Sequence, residues 1–275
     1  MPEGVEVFVI VEQLKQLLAE KVIHDINILS GRYTRHGEPE GFSMLRAILP
    51  AKIVDVSCKG KFIYFTFPDD LFVFNTLGMT GSWCITSDVT VVQHARVSFA
   101  LSTETVIEYL VFSDVRNFGT LKVVQGKHQL DKKLSGMGWD PLKISLPDAN
   151  FASRLSRDQR TLAEILMDQK TFAGVGNYIK AEALYDAKFS PHRLGATLAV
   201  DDWNKLCNSV SKIMQKSLAA KGTTVRDYRD AEGNAGTFQN FLKVYAQDRD
   251  PHGNEVVRET TKDGRTTHWV KEVQS

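Results

Sequence analysis

Cysteine is scarce in this sequence. Three thiols, Cys58, Cys84 and Cys207, stand far apart in 275 residues. An odd number at wide spacing implies no disulfide framework. Without any C-x-x-C pair, a four-cysteine zinc site within the chain is excluded as well. Long apolar runs are missing: none approaches the roughly 18 residues that a membrane span needs. The N-terminal MPEGVEVF carries acids and no basic segment, so it does not read as a signal peptide. An excess of one charge is also lacking. The 34 Lys and Arg balance 33 Asp and Glu to a net +1, which excludes a histone-like or membrane-coating polycation, although a neutral total can hide a basic face. Apolar residues make up 43% of the chain, enough for one large core or two medium ones and too many for disorder. An intracellular globular protein is expected, not a secreted one.

The charge that is present divides unevenly. Residues 1–150 hold 15 basic and 17 acidic groups, net −2, and residues 151–275 hold 19 and 16, net +3. A polyanionic partner would be gripped mainly by the second half.

Residues 3–20 read as one amphipathic helix, with Phe8, Val11, Leu14 and Leu18 at helical spacing. Pro2 suits its first position, and Glu3 and Glu6 suit its positive end. From about 52 to 124 the pattern changes to short runs rich in β-branched and aromatic residues: 52–57, 61–67, 71–76, 83–86, 94–101, 105–112 and 118–124. This spacing predicts an antiparallel sandwich or flattened barrel. Residues 125–147 read as a connector with Gly126, Gly136, Gly138, Pro141 and Pro147. The stretch 148–221 is mostly helical, 222–242 is polar and loop-like, and 243–273 returns to β signals with turns at 250–254 and at Asp263-Gly264. The fold class is therefore α+β, because strands do not alternate with helices. Residues 1–135 are expected to form a β-sandwich domain, 136–150 a linker, 151–240 a helical domain and 241–275 a β hairpin.

Several short segments can carry chemistry. Removal of Met1 would leave Pro2 with a free secondary amine. An α-amine titrates at roughly 7.7–8, so a usable neutral fraction exists near pH 7 for attack on an acetal-like carbon. Glu3 and Glu6 lie beside it. The same residues also simply start a helix well. Lys59-Gly60-Lys61 is either a charged hairpin turn or a lysine reaching into a cleft. The loops Thr76-Leu77-Gly78-Met79-Thr80-Gly81 and Asp114-Val115-Arg116-Asn117-Phe118-Gly119 each offer a bulky tip able to fill a gap in a base stack. Gly174-Val175-Gly176-Asn177 opens a helix, whose free N–H groups suit a phosphate, and Arg265 follows a tight turn and could clamp one bidentately.

Taken in order, these segments resemble one family. Met-Pro-Glu-Gly, Lys-Gly-Lys-Phe, Leu-Gly-Met-Thr-Gly, Val-Arg-Asn-Phe-Gly, the run 166–178 through Gly-Val-Gly-Asn-Tyr and the closing Gly-Arg-Thr-Thr-His-Trp are similar to formamidopyrimidine-DNA glycosylase and endonuclease VIII. The resemblance covers nearly the whole chain, and 162–193 looks like that family's helix–two-turn–helix. It implies a bifunctional DNA glycosylase/AP lyase for base-excision repair, binding double-stranded DNA with oxidised bases or abasic sites, as a monomer and without a cofactor. A non-catalytic lesion-binding protein on the same scaffold is the alternative.

By this resemblance Pro2 is the nucleophile at C1′ of a flipped nucleotide, Glu3 shuttles protons, Lys61 contacts the lesion-side phosphate and Glu6 supports the site. Asn177 and Arg265 hold phosphates, with Lys170 nearby, and Met79, Arg116 and Phe118 fill the void left by the flipped nucleotide. Thr223, Thr224, Arg226 and Tyr228 match a loop that covers the lesion. The sequence departs from the family pattern in three ways. Val270 and Val273 stand where two zinc-binding cysteines are expected, and no other pair occurs near 250–254, so no metal is expected and the hairpin resembles a zincless finger. Thr76 stands where relatives often carry a histidine. The substrate signals conflict: Met-Pro-Glu-Gly and the missing zinc site resemble the endonuclease VIII side, whereas 223–228 and 236–239 resemble the 8-oxoguanine side.

Overall fold

The computed structural model describes residues 2–102, 107–145, 147–223 and 236–275. They form two compact units. The first comprises Met1–Pro2, Glu6–Ser135 and Thr223–Gly236, and the second Glu3–Val5, Gly136–Gly222 and Thr237–Ser275.

The first unit opens with α1 (Gly4–Leu18), whose residues from Glu6 onward belong to it. Then come β1 (Val22–Ile28), the short helices α2 (Arg32–Arg35) and α3 (Phe42–Ala47), and strands β2 (Ala51–Lys52), β3 (Asp55–Lys59), β4 (Phe62–Phe67), β5 (Leu71–Thr76), β6 (Gly81–Thr86), β7 (Ala95–Ser102), β8 (Ile107–Asp114) and β9 (Thr120–Gln125). The strands make two antiparallel sheets, one ordered β2-β1-β7-β8-β6 and the other β3-β4-β5-β9. Alternate side chains of each strand turn inward and meet in one core. Trp83 of the first sheet lies 5.2 Å from Phe65 of the second and 5.0 Å from Phe112 of its own. Its buried indole N–H is satisfied by Asn75 Oδ1 at 3.0 Å, as a polar atom in a core must be.

Some elements of this unit differ from the sequence expectation, which assigned nothing to β1, α2 or α3 and read α4 as part of a connector. β1 was not expected. Only Ile23 and Ile26 of VIHDINI are buried, and a register shift between Ile23 and Asp25 breaks the alternation that marks a strand. The supposed connector 125–147 contains α4 (Lys127–Ser135), a helix that buries Leu130 alone and therefore shows no apolar stripe.

The second unit holds α5 (Phe151–Leu155), α6 (Leu162–Met167), α7 (Asn177–Ala187), α8 (Val200–Ala219) and a two-stranded sheet of β10 (Val257–Thr260) and β11 (Thr266–Trp269). Trp139, within the expected linker, packs 5.9 Å from Phe151 and 5.8 Å from Phe172. α6 starts with a reciprocal cap, in which Thr161 and Glu164 satisfy each other's backbone N–H groups. Asp202 accepts the Ala199 N–H at the start of α8, and Gly222, at φ +82°, closes its end by donating to Ser217 O at 2.8 Å. Among the described residues, no helix is long and apolar enough to cross a membrane.

Candidate active site

In the first unit Pro2 is buried at the head of the chain. Lys61 is half-buried in the two-residue turn between β3 and β4, where Gly60 takes φ +52°. At the far ends of β5 and β8 the two glycine loops meet. A Cβ on Gly78, already at φ +62°, would stand 2.8 Å from Gly119 N and 2.9 Å from Phe118 C, so only glycine permits this approach. The buried carboxylate of Asp114 ties the loops together, accepting the Thr80 hydroxyl and, at 2.7 Å, the Gly119 N–H. Thr80 in turn accepts the Arg116 N–H at 2.9 Å. The tips project outward: Phe118 is 55% exposed, the Arg116 guanidinium lies 4.9 Å from its ring centre, and Met79 is half-buried. The three expected void-filling side chains are thus gathered on adjoining loops. Thr76 pairs its hydroxyl with that of Thr120 at 2.7 Å.

Glu6, 1% exposed, accepts the Thr223 N–H at 2.9 Å. It fixes the point from which the chain enters the segment expected to cover the lesion. Thr224, Arg226 and Tyr228 lie outside the described residues.

In the second unit Glu3 is 3% exposed, and its carboxylate accepts the N–H groups of Tyr178 at 2.9 Å and Ile179 at 3.4 Å. These are the second and third N–H groups of α7, so the anion sits on the positive end of the helix. The sequence alone offered those N–H groups to a phosphate; here they hold Glu3. The loop before α7 is shaped by Gln169, which donates to Val175 O at 2.9 Å and accepts from Gly174 N at 3.0 Å, while Gly174 O accepts the Gly4 N–H at 2.8 Å.

Asn177 donates its Nδ2 to Thr266 O at 2.8 Å, which places it next to the exposed Arg265. The two expected phosphate ligands are therefore brought together, one on α7 and one at the hairpin turn. Lys170 is exposed in the loop after α6, its N–H bonded to Asp168 at 2.9 Å. Lys180 and Glu182 are buried ionic groups that no sequence motif marks. Lys180, fully buried, pairs with Asp263 at 2.6 Å. Burial pushes its ammonium down from the usual lysine range, opposed by Asp263. Glu182 accepts the N–H groups of Lys243, Val244 and Tyr245 at 2.9–3.0 Å; burial pushes its carboxyl up against those bonds.

Where the hairpin was expected to lack zinc ligands, Val270 is fully buried and packs with Ala181, Tyr185, Val244 and Val256, with Val273 against the cluster. The 250–254 turn is organised by Asp250, which accepts from His252 N, Asn254 N, Asn254 Nδ2 and the Tyr185 hydroxyl at 2.8–3.0 Å. Glu259 joins the hairpin to the helical layer, bonded to Trp269 Nε1 at 2.6 Å and to His192 at 2.8 Å. Among the described residues, no group of three or more His, Cys, Asp or Glu is placed to hold a metal ion. Burial pushes the Cys207 thiol up to about 12, leaving it inert as a nucleophile.

Residues 1–121 match the formamidopyrimidine-DNA glycosylase N-terminal domain, and residues 137–229 match the formamidopyrimidine-DNA glycosylase H2TH domain. The formamidopyrimidine-DNA glycosylase of Oceanobacillus iheyensis is 31% identical over 274 residues, covering 98% of this chain and 95% of that protein. The chain belongs to the formamidopyrimidine-DNA glycosylase family. The Rickettsia felis member is 28% identical over 277 residues, covering 100% of this chain and 98% of its own. The Lactococcus lactis Fpg in complex with DNA containing an abasic site superposes with a TM-score of 0.85 at 25% identity, covering 99% of both chains. A mutant of the same Lactococcus enzyme with DNA containing Fapy-dG gives 0.86 at 25% identity over 100% of both. In this glycosylase, then, Pro2, Lys61, Met79, Arg116, Phe118 and Glu6 lie in the first unit, and Glu3, Asn177, Arg265 and Lys170 in the second. Asp114, Gln169 and Lys180 are additional residues bonded beside those positions, and Glu182 holds the backbone of residues 243–245. The first two had a local signal, each lying beside a glycine loop; Lys180 and Glu182 had none.

Proposed function

We infer that this base-excision repair glycosylase is bifunctional, removing an oxidised base and then nicking the strand. The observation that carries the reading is the Glu3 carboxylate fixed on the α7 N-terminus, one residue after the proline whose nitrogen becomes a secondary amine once Met1 is cleaved. The Pro2 nitrogen attacks C1′, the bond from C1′ to the base breaks, and the base leaves with a proton delivered at the site. Glu3 carries protons to and from the deoxyribose ring oxygen as it opens. The resulting iminium acidifies C2′–H. Loss of that proton expels the 3′ phosphate (β-elimination), and a second elimination expels the 5′ phosphate. Water then releases the sugar fragment and restores the amine.

Lys61 binds the phosphate beside the lesion, and Asn177 and Arg265 hold the strand by phosphates, which carry no sequence information. Met79, Arg116 and Phe118 fill the vacated stack. Oxidised purines and pyrimidines are both substrates, in the DNA compartment of the cell, with the protein acting as a monomer. The test is borohydride trapping on single-lesion duplexes: 8-oxoguanine, formamidopyrimidine, thymine glycol, hydantoin and an abasic site. Protein shown by mass spectrometry to lack Met1 is expected to give a covalent complex, and Pro2→Gly none. Absence of a trapped species with every substrate overturns the reading.

A further inference from the structure

Helix α7 touches the hairpin at two points flanking the Arg265 peptide. Asn177 donates to Thr266 O at 2.8 Å, and one turn later Lys180 binds Asp263 at 2.6 Å. The ion pair is cut off from water, with the lysine side chain 0% and the aspartate 3% exposed. From Asp263 the connection runs directly into the arginine's own backbone. Asp263 Oδ1 accepts the Thr261 hydroxyl, and the N–H of Thr261 donates to Arg265 O at 3.1 Å. Thr261 also shares a hydroxyl bond of 2.6 Å with the buried Thr267.

We propose that the Lys180–Asp263 pair is a latch that seats Arg265 beside Asn177, making both members of the pair positioning residues for DNA binding. Stability alone does not call for such a pair. Buried ion pairs are often no more stabilising than apolar side chains of the same volume, and the neighbouring contact between α7 and the hairpin is apolar, built from Ala181, Tyr185 and Val270. An ion pair with a 2.6 Å contact fixes direction and distance, which an apolar contact does not. The charged groups facing Lys180 are Asp263, Glu3 and Arg265. Its ammonium thus offsets the charge of Asp263, and the exposed Arg265, like Lys262, keeps its positive charge outward at the turn.

The inference rests on Arg265 binding a phosphate. Its test measures lesion-duplex affinity against salt for the full-length protein and for Arg265→Ala, Lys180→Met, Asp263→Asn and the double variant Lys180→Met/Arg265→Ala. Arg265→Ala should weaken binding about tenfold, as loss of a charged hydrogen bond does, and reduce the salt slope by about 0.9. Lys180→Met and Asp263→Asn should each do nearly the same, although the charges they remove are buried, and the double variant should be no weaker than Arg265→Ala within about twofold. Lys180→Arg should restore much of the slope. Native affinity and slope in Lys180→Met, or multiplicative losses in the double variant, overturn the latch. A lowered Tm with an unchanged slope marks a purely structural pair and overturns it too. Should Lys180→Met fail to fold, Asp263→Asn gives the same readings. If Arg265→Ala itself changes nothing, the phosphate reading fails. Amide exchange at Thr266 and Thr267 then decides the latch: faster exchange in Asp263→Asn supports it and unchanged exchange overturns it.

Discussion

The carboxylate of Glu3 fills the space that a side chain at Gly176 would need. A Cβ on Gly176 would stand 2.2 Å from Glu3 Cδ and 2.4 Å from Oε1. Glycine at 176 is therefore required by a side chain 173 positions away, and the Glu3 carboxylate is held by the absence of an atom. Gly176→Ala must expel Glu3 from the α7 N-terminus. Displacing a reacting group by about 1 Å can cost about 100-fold, so single-turnover excision should fall by that order while circular dichroism stays native. Excision within threefold of the parent enzyme would show that Glu3 is not placed this way.

Glu6→Ala should separate the two chemical steps. It leaves the buried Thr223 N–H unpaired, a cost of about 1–3 kcal/mol, and loosens the anchor of the segment expected to cover the base. Excision of an intact oxidised base should drop at least tenfold, whereas nicking of a preformed abasic site should change little. Equal losses on both substrates would place Glu6 in the chemistry itself.

Phe118→Ala should spare the fold and damage binding. The ring is 55% exposed, so stability should change by no more than about 0.5 kcal/mol. Loss of a stacking platform costs about 1–3 kcal/mol per base, so lesion-duplex Kd should rise about tenfold or more. Arg116→Ala should weaken binding in the same direction, because the guanidinium lies over that ring at 4.9 Å.

The acid limb of stability should carry a signature of the α6 cap. Hydrogen bonds from the Thr161 hydroxyl and N–H hold the Glu164 carboxyl below its ordinary 4.5. The folded state therefore binds fewer protons than the unfolded chain below that value. The contribution is fully present above about pH 4.5 and is lost as pH falls through the folded value. Glu164→Gln should flatten this part of a denaturation-versus-pH curve. Thr161→Ala should cost about 1 kcal/mol at neutral pH, read as a Tm lower by about 3 °C.

At the hairpin, Val270→Ala should destabilise by about 2 kcal/mol, since its side chain is fully buried. Treatment with EDTA should leave both activity and Tm unchanged. Inhibition by chelation, with metal released in proportion to protein, would contradict packing by Val270 and Val273 in place of metal ligands.

Much of this was legible in the order of residues because the signals are local. FIYFTF and LFVFNT announce β4 and β5, and Gly78 and Gly119 mark loops whose close approach only glycine allows. Glu3, Asn177 and Arg265 were named for the same reason, within recognisable short motifs. The partners that hold them were not. Lys180 meets Asp263 across 83 positions and Glu182 meets Val244 across 62. No periodicity or composition encodes such pairings, and a lysine inside an apolar helix face reads as solvent-exposed until its partner is seen. β1 and α4 escaped because each buries so little that its pattern resembles a loop.

The division of the chain has a consequence for inheritance. Pro2 and Glu6 belong to one unit and Glu3–Val5 to the other. A gene cut between codons 135 and 136 would leave the second product without the strip that bears Glu3. The two halves therefore cannot travel as exchangeable cassettes. Recombination at that seam would part the Glu3 carboxylate from the α7 N-terminus that holds it.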